Sequence, residues 1–292
     1  MFPLFVAETL IGLSIGGRLF LIAVGLSLIF GVLNVLNFAH GVFYMLGAYG
    51  AITVSALLLD NFWLGAAVGI VAVGIVGAIV EFGLIRPLYD RDEAILDQLI
   101  LTFGVAMIVH ELARMLWGSQ PRSIPTPGSL DFSVGILGET ITAYRLFVIG
   151  VSVVVLVGLW LFLTRTHHGH VIRATASDRE MAAMLGVDVP RLYTTVFLLG
   201  SLLAGLGGAL AAPLQAVSPA LGDQIIIDAF VVVVIGGLGS ISGAFVGAML
   251  VGLFQAFGVQ YIAAGDLALP FIAMILVLVF RPRGLLGEDE VL

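Results

Sequence analysis

Residues 165–191 read RTHHGHVIRATASDREMAAMLGVDVPR, the most polar long run in a chain that is otherwise almost wholly apolar. The run carries four of the twelve basic residues and three of the five histidines. Long apolar segments flank it on both sides, so it reads as a loop between membrane spans. Inside it, Ser177 and Glu180 predict a capping box, in which each side chain satisfies a first-turn amide. Asp178 and Glu180 fall in the first turn, where carboxylates suit the helix dipole. Met181, Met184 and Leu185 share one face at helical spacing. Gly186 is a natural C-cap, and Pro190 stops continuation. The predicted helix is about eight residues, or roughly 12 Å, long. On pattern alone it is equally well a helix lying on the bilayer surface against lipid.

The rest of the chain supports that reading. Hydrophobic residues make up 60% and charged residues 11% of the sequence, where soluble chains carry about 25% charge. Mean hydropathy is +1.17. Apolar runs of about 20 residues recur, each enough to cross a bilayer as a helix. The 37 glycines suit closely packed membrane helices. The expected fold is therefore all-α: one polytopic transmembrane domain over 1–292, with eight or nine transmembrane helices. There is no cysteine, which excludes disulfides, thiol catalysis and cysteine metal sites. Every basic residue is arginine. The net charge of −7, part of it in the acidic tail 284–292, gives no reason to expect nucleic acid. No removable signal peptide is read at the N-terminus.

The predicted spans cover about 10–33, 42–59, 62–85, 95–117, 146–163, 192–214, a short 225–235, 244–261 and 267–280. Whether 225–235 crosses the membrane is left open. Asp60 and Asn61 predict a tight turn. In the loop 118–144, Pro121, Pro125, Pro127 and Gly128 precede alternating segments at 132–137 and 140–144, which predict a small β-hairpin. Arginines concentrate at Arg86 and Arg91, in 165–191, and at Arg281 and Arg283. Placing these inside puts the N-terminus and the 118–144 loop outside.

Polar residues interrupt the spans at a few places. Arg18 lies within the first span, where a charge is costly. The expectation is that it snorkels to an interface, or that the span begins just after it. In Gly31-Val-Leu-Asn-Val-Leu-Asn-Phe-Ala-His-Gly41, the residues Asn34, Asn37 and His40 recur at three-residue spacing. They read either as a polar turn between spans or as a helix break lining a path. Gln98 and Thr102 share one face of the fourth span. His110, Glu111 and Arg114 are placed to pair along its end. Gly236-Gly-Leu-Gly-Ser-Ile-Ser-Gly243 lacks the Lys-Ser/Thr end of a phosphate loop, and reads as a close helix crossing or a broken helix. His167, His168 and His170 read as surface charge rather than a metal site. No catalytic residue, metal or cofactor is expected.

Three motifs together resemble the LivH-type permeases of branched-chain amino-acid ABC importers, over nearly the whole chain and in order. They are Asn37-Phe-Ala-His-Gly41 with Tyr44-Met-Leu-Gly-Ala-Tyr49; Ala174-x-Ala176-x-Asp178-x-Glu180-x-Ala182-x-x-x-Gly186-Val187-Asp188-Val189; and Ala229-Phe-Val-Val-Val-Val-Ile-Gly-Gly-Leu-Gly-Ser240. The resemblance implies a multi-pass subunit of the bacterial inner membrane. Its implied partners are a second, LivM-like permease, cytoplasmic ATPase subunits and a periplasmic solute-binding protein. It also implies that the helix in 165–191 is a coupling helix docking on an ATPase, with Arg173, Asp178, Glu180, Ala182, Gly186 and Asp188 as its residues. Asn34, Asn37, His40, Gln98 and Thr102 are then candidates for the substrate path. No buried charge pair is expected to hold the ends of an amino acid, which leaves selection to the binding protein. Arg18, His110 and Glu111 depart from the family pattern. Urea or amides are alternative substrates within the family. An ion-driven secondary transporter would need membrane carboxylates, for which Glu81, Glu111 and Asp228 are the candidates. An intramembrane enzyme has no supporting pair of His and carboxylates.

Overall fold

The computed structural model describes residues 2–57, 61–89, 94–136, 139–261 and 268–287. Asp60, Arg91, the hairpin turn at Leu137 and the acidic residues Glu288, Asp289 and Glu290 lie outside the described residues. In chain order come α1 (Phe2–Leu33), α2 (His40–Leu57), α3 (Phe62–Val80) and α4 (Ala94–Trp117). The hairpin β1 (Ser133–Ile136) and β2 (Glu139–Thr142) follows, then α5 (Ala143–Arg165). Next are α6 (His167–Ser177), α7 (Arg179–Met184), α8 (Val189–Ala211), α9 (Leu221–Gly236), α10 (Ile241–Tyr261) and α11 (Leu269–Phe280).

Seven of these, α1 to α5, α8 and α10, are long and apolar enough to cross a membrane. α9 and α11 are apolar but shorter, at 16 and 12 residues. The chain is thus an all-α polytopic membrane protein with one small hairpin, and among the described residues its apolar segments divide into seven long helices and two short ones. Apolar residues dominate every span because lipid offers the backbone no hydrogen-bond partner, and a helix satisfies its own. α3 runs on through a π-helical turn, Glu81–Ile85, and a 3₁₀ turn, Arg86–Leu88.

α1 is the axis of the bundle. Its residues from Leu19 to Ile29 are buried on all sides. Small residues let its neighbours approach: Gly12 and Gly16 face Gly252 and Ala248 of α10, and Gly25 faces Gly200 of α8. α2 crosses α8 where Gly47 meets Gly205 and where Gly208 meets the Tyr44 carbonyl. Among apolar lipids, such close packing replaces the hydrophobic drive between helices. α4 and α5 turn large side chains outward, among them Phe103, Met107, Val154 and Trp160. Faces of that kind suit hydrocarbon or another membrane helix.

The two ends of the bundle differ. At one end, Tyr89 packs edge-on against Tyr193, with ring centroids 5.0 Å apart, and the guanidinium of Arg179 lies 5.5 Å from the Tyr193 ring centroid. Gly31 faces Gly239 there. The N–H groups of Leu285 and Leu286 donate to the carbonyls of Ile235 and Gly236, at 2.8 and 3.0 Å. Arg86, the 165–191 loop, Arg281 and Arg283 therefore gather at this loop end. At the opposite end β1 and β2 pair antiparallel, Ser133 with Thr142 and Ile136 with Glu139. Arg122 bridges Val217, and Tyr144 donates to the Leu210 carbonyl at 2.9 Å.

The structure corrects three expectations. Arg18 neither snorkels to a span end nor precedes the span. α1 begins sixteen residues earlier, at Phe2, and Arg18 Nη1 donates to Gln215 Oε1 at 2.8 Å. His110 does not join a string along α4; Glu111 pairs with Arg114 at 2.7 Å, but His110 Nδ1 reaches Asp223 of α9 at 2.9 Å. Ser177 does not cap the short loop helix. It ends α6, and Asp178 caps α7 instead, its Oδ1 accepting from the Met181 N–H at 2.9 Å.

Candidate translocation path and coupling surface

α1 stops because Asn34 takes a left-handed conformation, φ 55°, which asparagine tolerates better than most side chains. The backbone is then irregular until His40. Asn37 organises the restart: its Oδ1 accepts from the Ala39 N–H at 3.0 Å, and its carbonyl accepts from the His40 N–H at 3.2 Å. His40 Nε2 lies 3.1 Å from the Ile22 carbonyl, so that nitrogen carries the proton. Ile22 is in the middle of α1. The first span is thus followed by a segment that doubles back into the bundle, and α2 begins beside the centre of α1. Irregular backbone at such depth is tolerated where protein or a polar path surrounds it.

Thr102 holds this break in place. Its Oγ1 accepts from the Phe38 N–H at 3.3 Å and lies 3.1 Å from the Leu99 carbonyl. Thr102→Val keeps the side-chain shape but leaves that amide without its acceptor, a cost of about 1–3 kcal/mol. The thermal unfolding midpoint of the purified variant should fall accordingly; an unchanged midpoint would show that the strut carries no weight.

Asn37 Nδ2 and His40 Nδ1 are buried and have no hydrogen-bond partner. Buried polar atoms are nearly always paired, so a donor and an acceptor left open beside one break make this a candidate functional position. Asn34 and Gln98 face elsewhere. They line a cavity of about 300 Å³ at the loop end, with Tyr89, Thr175, Arg179 and Tyr193. Tyr89 donates to buried Glu81 at 2.8 Å, and burial, with that carboxylate beside it, pushes the Tyr89 phenol up. The five candidate path residues therefore surround one break but do not form a single file. Asn37, His40 and Thr102 sit inside, while Asn34 and Gln98 open to the cavity.

The 165–191 loop is built by three caps in succession. Thr166 Oγ1 accepts from Gly169 at 3.0 Å to start α6, Asp178 starts α7, and Asp188 Oδ1 accepts from Arg191 at 3.1 Å to start α8. Asp188 also pairs with Arg191 Nε at 3.0 Å. Gly186, φ 89°, ends α7: its N–H donates to Ala183 and that of Val187 to Ala182, the paired bonds of a Schellman motif. Ala182 is the residue α7 buries. Met181, Met184 and Leu185 are 52%, 77% and 79% exposed. Glu180 and Arg173 are exposed beside them, and Arg173 contacts His170 at 2.8 Å. The arrangement is a short, rigidly capped helix with an uncovered apolar face and a charged rim.

A family described as the permease component of branched-chain amino acid transport systems matches residues 9–280. The chain belongs to this family. Similar permeases include the high-affinity branched-chain amino acid transport system permease protein BraD of Pseudomonas aeruginosa, 33% identical over 96% of this chain and 95% of its own. The LivH protein of Escherichia coli is 29% identical over 99% and 98% of the two chains. The probable LivH permease of Methanocaldococcus jannaschii is 32% identical over 93% and 89%. Among solved structures, PsaBC from Streptococcus pneumoniae in complex with Fab shares the fold, with a TM-score of 0.50 at 14% identity over 94% and 90% of the chains. The chain is thus a multi-pass membrane permease component, as the motifs around Asn37, Asp178 and Ala229 led one to expect.

The sequence signals α6 only weakly, because 167–177 is polar overall. Gln215 carries no signal without its neighbours in space, and Tyr44 is marked only as part of the family motif. Arg18 did carry one, a charge deep in an apolar run.

Proposed function

We propose that this chain is the membrane-spanning subunit of an ATP-binding-cassette importer in the bacterial inner membrane. Its cargo is a branched-chain or related hydrophobic amino acid. The observation that carries the reading is family membership across residues 9–280. The chain works with a second, LivM-like permease, cytoplasmic ATPase subunits and a periplasmic solute-binding protein. The Met181, Met184 and Leu185 face supports the ATPase contact, because a short amphipathic helix laid into a groove is a recurrent docking mode. Arg173, Asp178, Glu180, Ala182, Gly186 and Asp188 shape and rim that helix. The substrate passes the break at Asn37 and His40, held by Thr102, and leaves by the cavity that Asn34 and Gln98 line. ATP hydrolysis falls to the partner subunits, since the glycine run 236–243 of this chain lacks the lysine of a phosphate loop.

The test is uptake by the assembled complex in proteoliposomes. Leucine, isoleucine or valine should accumulate only with ATP and binding protein present. Uptake by this chain alone on a proton or sodium gradient would overturn the reading. Transport of urea or an amide in place of amino acids would keep the machine and change its cargo.

A further inference from the structure

Arg18 sits near the middle of α1, and its Nη1 bond to Gln215 leaves donors unused. Arg18 Nε, Gln215 Nε2 and the Tyr44 hydroxyl are all buried and have no hydrogen-bond partner. Three elements bring them together: Arg18 from α1, Tyr44 from α2, and Gln215 from the segment after α8. Gly207 makes room for the Tyr44 ring, whose Cε2 lies 3.1 Å from where a Cβ would be. The Tyr44 hydroxyl lies within loose hydrogen-bonding reach of the Gln215 side chain and in electrostatic reach of Arg18 and Asp228. Arg145, at the start of α5, is in reach of Arg18. The neighbouring Tyr144 hydroxyl is already spent on the Leu210 carbonyl.

Two of the unmet groups, a guanidinium N–H and an amide N–H, can only donate, and the third, a phenol, can donate as well as accept. Arg18 and Arg145 are two positive charges within electrostatic reach of each other, an arrangement that a bound anion would relieve. A buried charge within a membrane span is costly and ordinarily has a task. The ligand that fits is an ionised carboxylate, which accepts several hydrogen bonds and pairs well with arginine. We propose that Arg18, Gln215 and Tyr44 form a carboxylate-binding site on the hairpin-end half of the translocation path. There they take the carboxylate of the amino acid as it enters. This rests on the reading of the chain as an amino-acid permease and narrows it, because urea and simple amides have no carboxylate.

The experiment uses the assembled transporter in proteoliposomes, with Arg18→Gln, Arg18→Lys and Tyr44→Phe. Arg18→Gln should lower leucine uptake about tenfold or more, as expected for a lost charged hydrogen bond. Arg18→Lys should keep more uptake than Arg18→Gln, and Tyr44→Phe should lose severalfold. A second measurement separates binding from a merely structural role. The chain has no cysteine, so Ala216→Cys places one thiol beside Gln215. An anionic methanethiosulfonate should modify it faster than a cationic one during turnover, and leucine should slow the anionic reagent. Arg18→Gln should abolish that preference. Wild-type uptake by Arg18→Gln, or labelling indifferent to reagent charge and to leucine, would overturn the site. If Arg18→Gln fails to assemble, Tyr44→Phe and the labelling of Ala216→Cys decide. Absence of amino-acid import by the unsubstituted complex would instead overturn the parent reading.

Discussion

Replacing Met184 and Leu185 together with glutamate should abolish ATP-driven transport and leave the membrane bundle folded. Both side chains are more than three-quarters exposed, and both lie outside the spans. Their loss therefore costs the isolated chain little, within about 0.5 kcal/mol for a surface change of this kind. Docked in an ATPase groove, each would bury apolar area worth about 1.5–3 kcal/mol. The double variant removes both contributions and forces two carboxylates into an apolar site. A loss of about 3 kcal/mol is already more than a hundredfold in affinity. The measurements are co-purification of the ATPase subunits, substrate-stimulated ATP hydrolysis and leucine uptake. Uptake at the unsubstituted level would show that α7 is a lipid-facing ornament, the plain alternative for a Met/Leu face on a membrane loop.

The second large effect is expected at Gly208→Val. A Cβ at Gly208 would coincide with the Tyr44 carbonyl oxygen and crowd the Ala48 amide. Backbone atoms cannot swing aside as a flexible side chain can, so α2 and α8 must separate. Their crossing also relies on Gly47 against Gly205. Overpacking of this kind costs about 3 kcal/mol. The variant should fold in poor yield and lose thermal stability in detergent. Gly104→Ala on α4 is the control, since nothing lies within 4 Å of its Cβ position. Equal melting of Gly208→Val and the control would mean that the crossing is looser than described.

Much of this architecture was legible because lipid imposes simple rules. Span positions followed from apolar runs, and the hairpin followed from prolines ahead of alternating residues. The start of α7 was placed within a residue, but the wrong side chain was chosen. Ser177 and Asp178 are both good caps, and only the coordinates show which one turns toward the Met181 amide. The break at Asn34 to His40 was visible as polar spacing. Its depth was not, since that depends on His40 meeting a carbonyl eighteen residues earlier. The Arg18 partner was illegible for the same reason, since Gln215 lies 197 positions along the chain. Local chemistry reads locally, and the polar contacts around this break and at Arg18 join residues far apart in the chain.

α8 has a mechanical consequence. It runs as one helix from the Asp188 cap to Ala211, 23 residues, or about 35 Å. Its first turn follows the α7 surface, and its last turn accepts the Tyr144 hydroxyl and leads into Gln215. Between them it crosses α2 at Gly205 and Gly208. A stiff rod held near one end behaves as a lever with unequal arms. Rotation imposed at the Asp188 end is carried along α8 to Ala211, where the turn at 212–214 leads on to the Gln215 that accepts from Arg18. One element therefore joins the α7 surface at the loop end to the segment that holds Arg18 at the hairpin end.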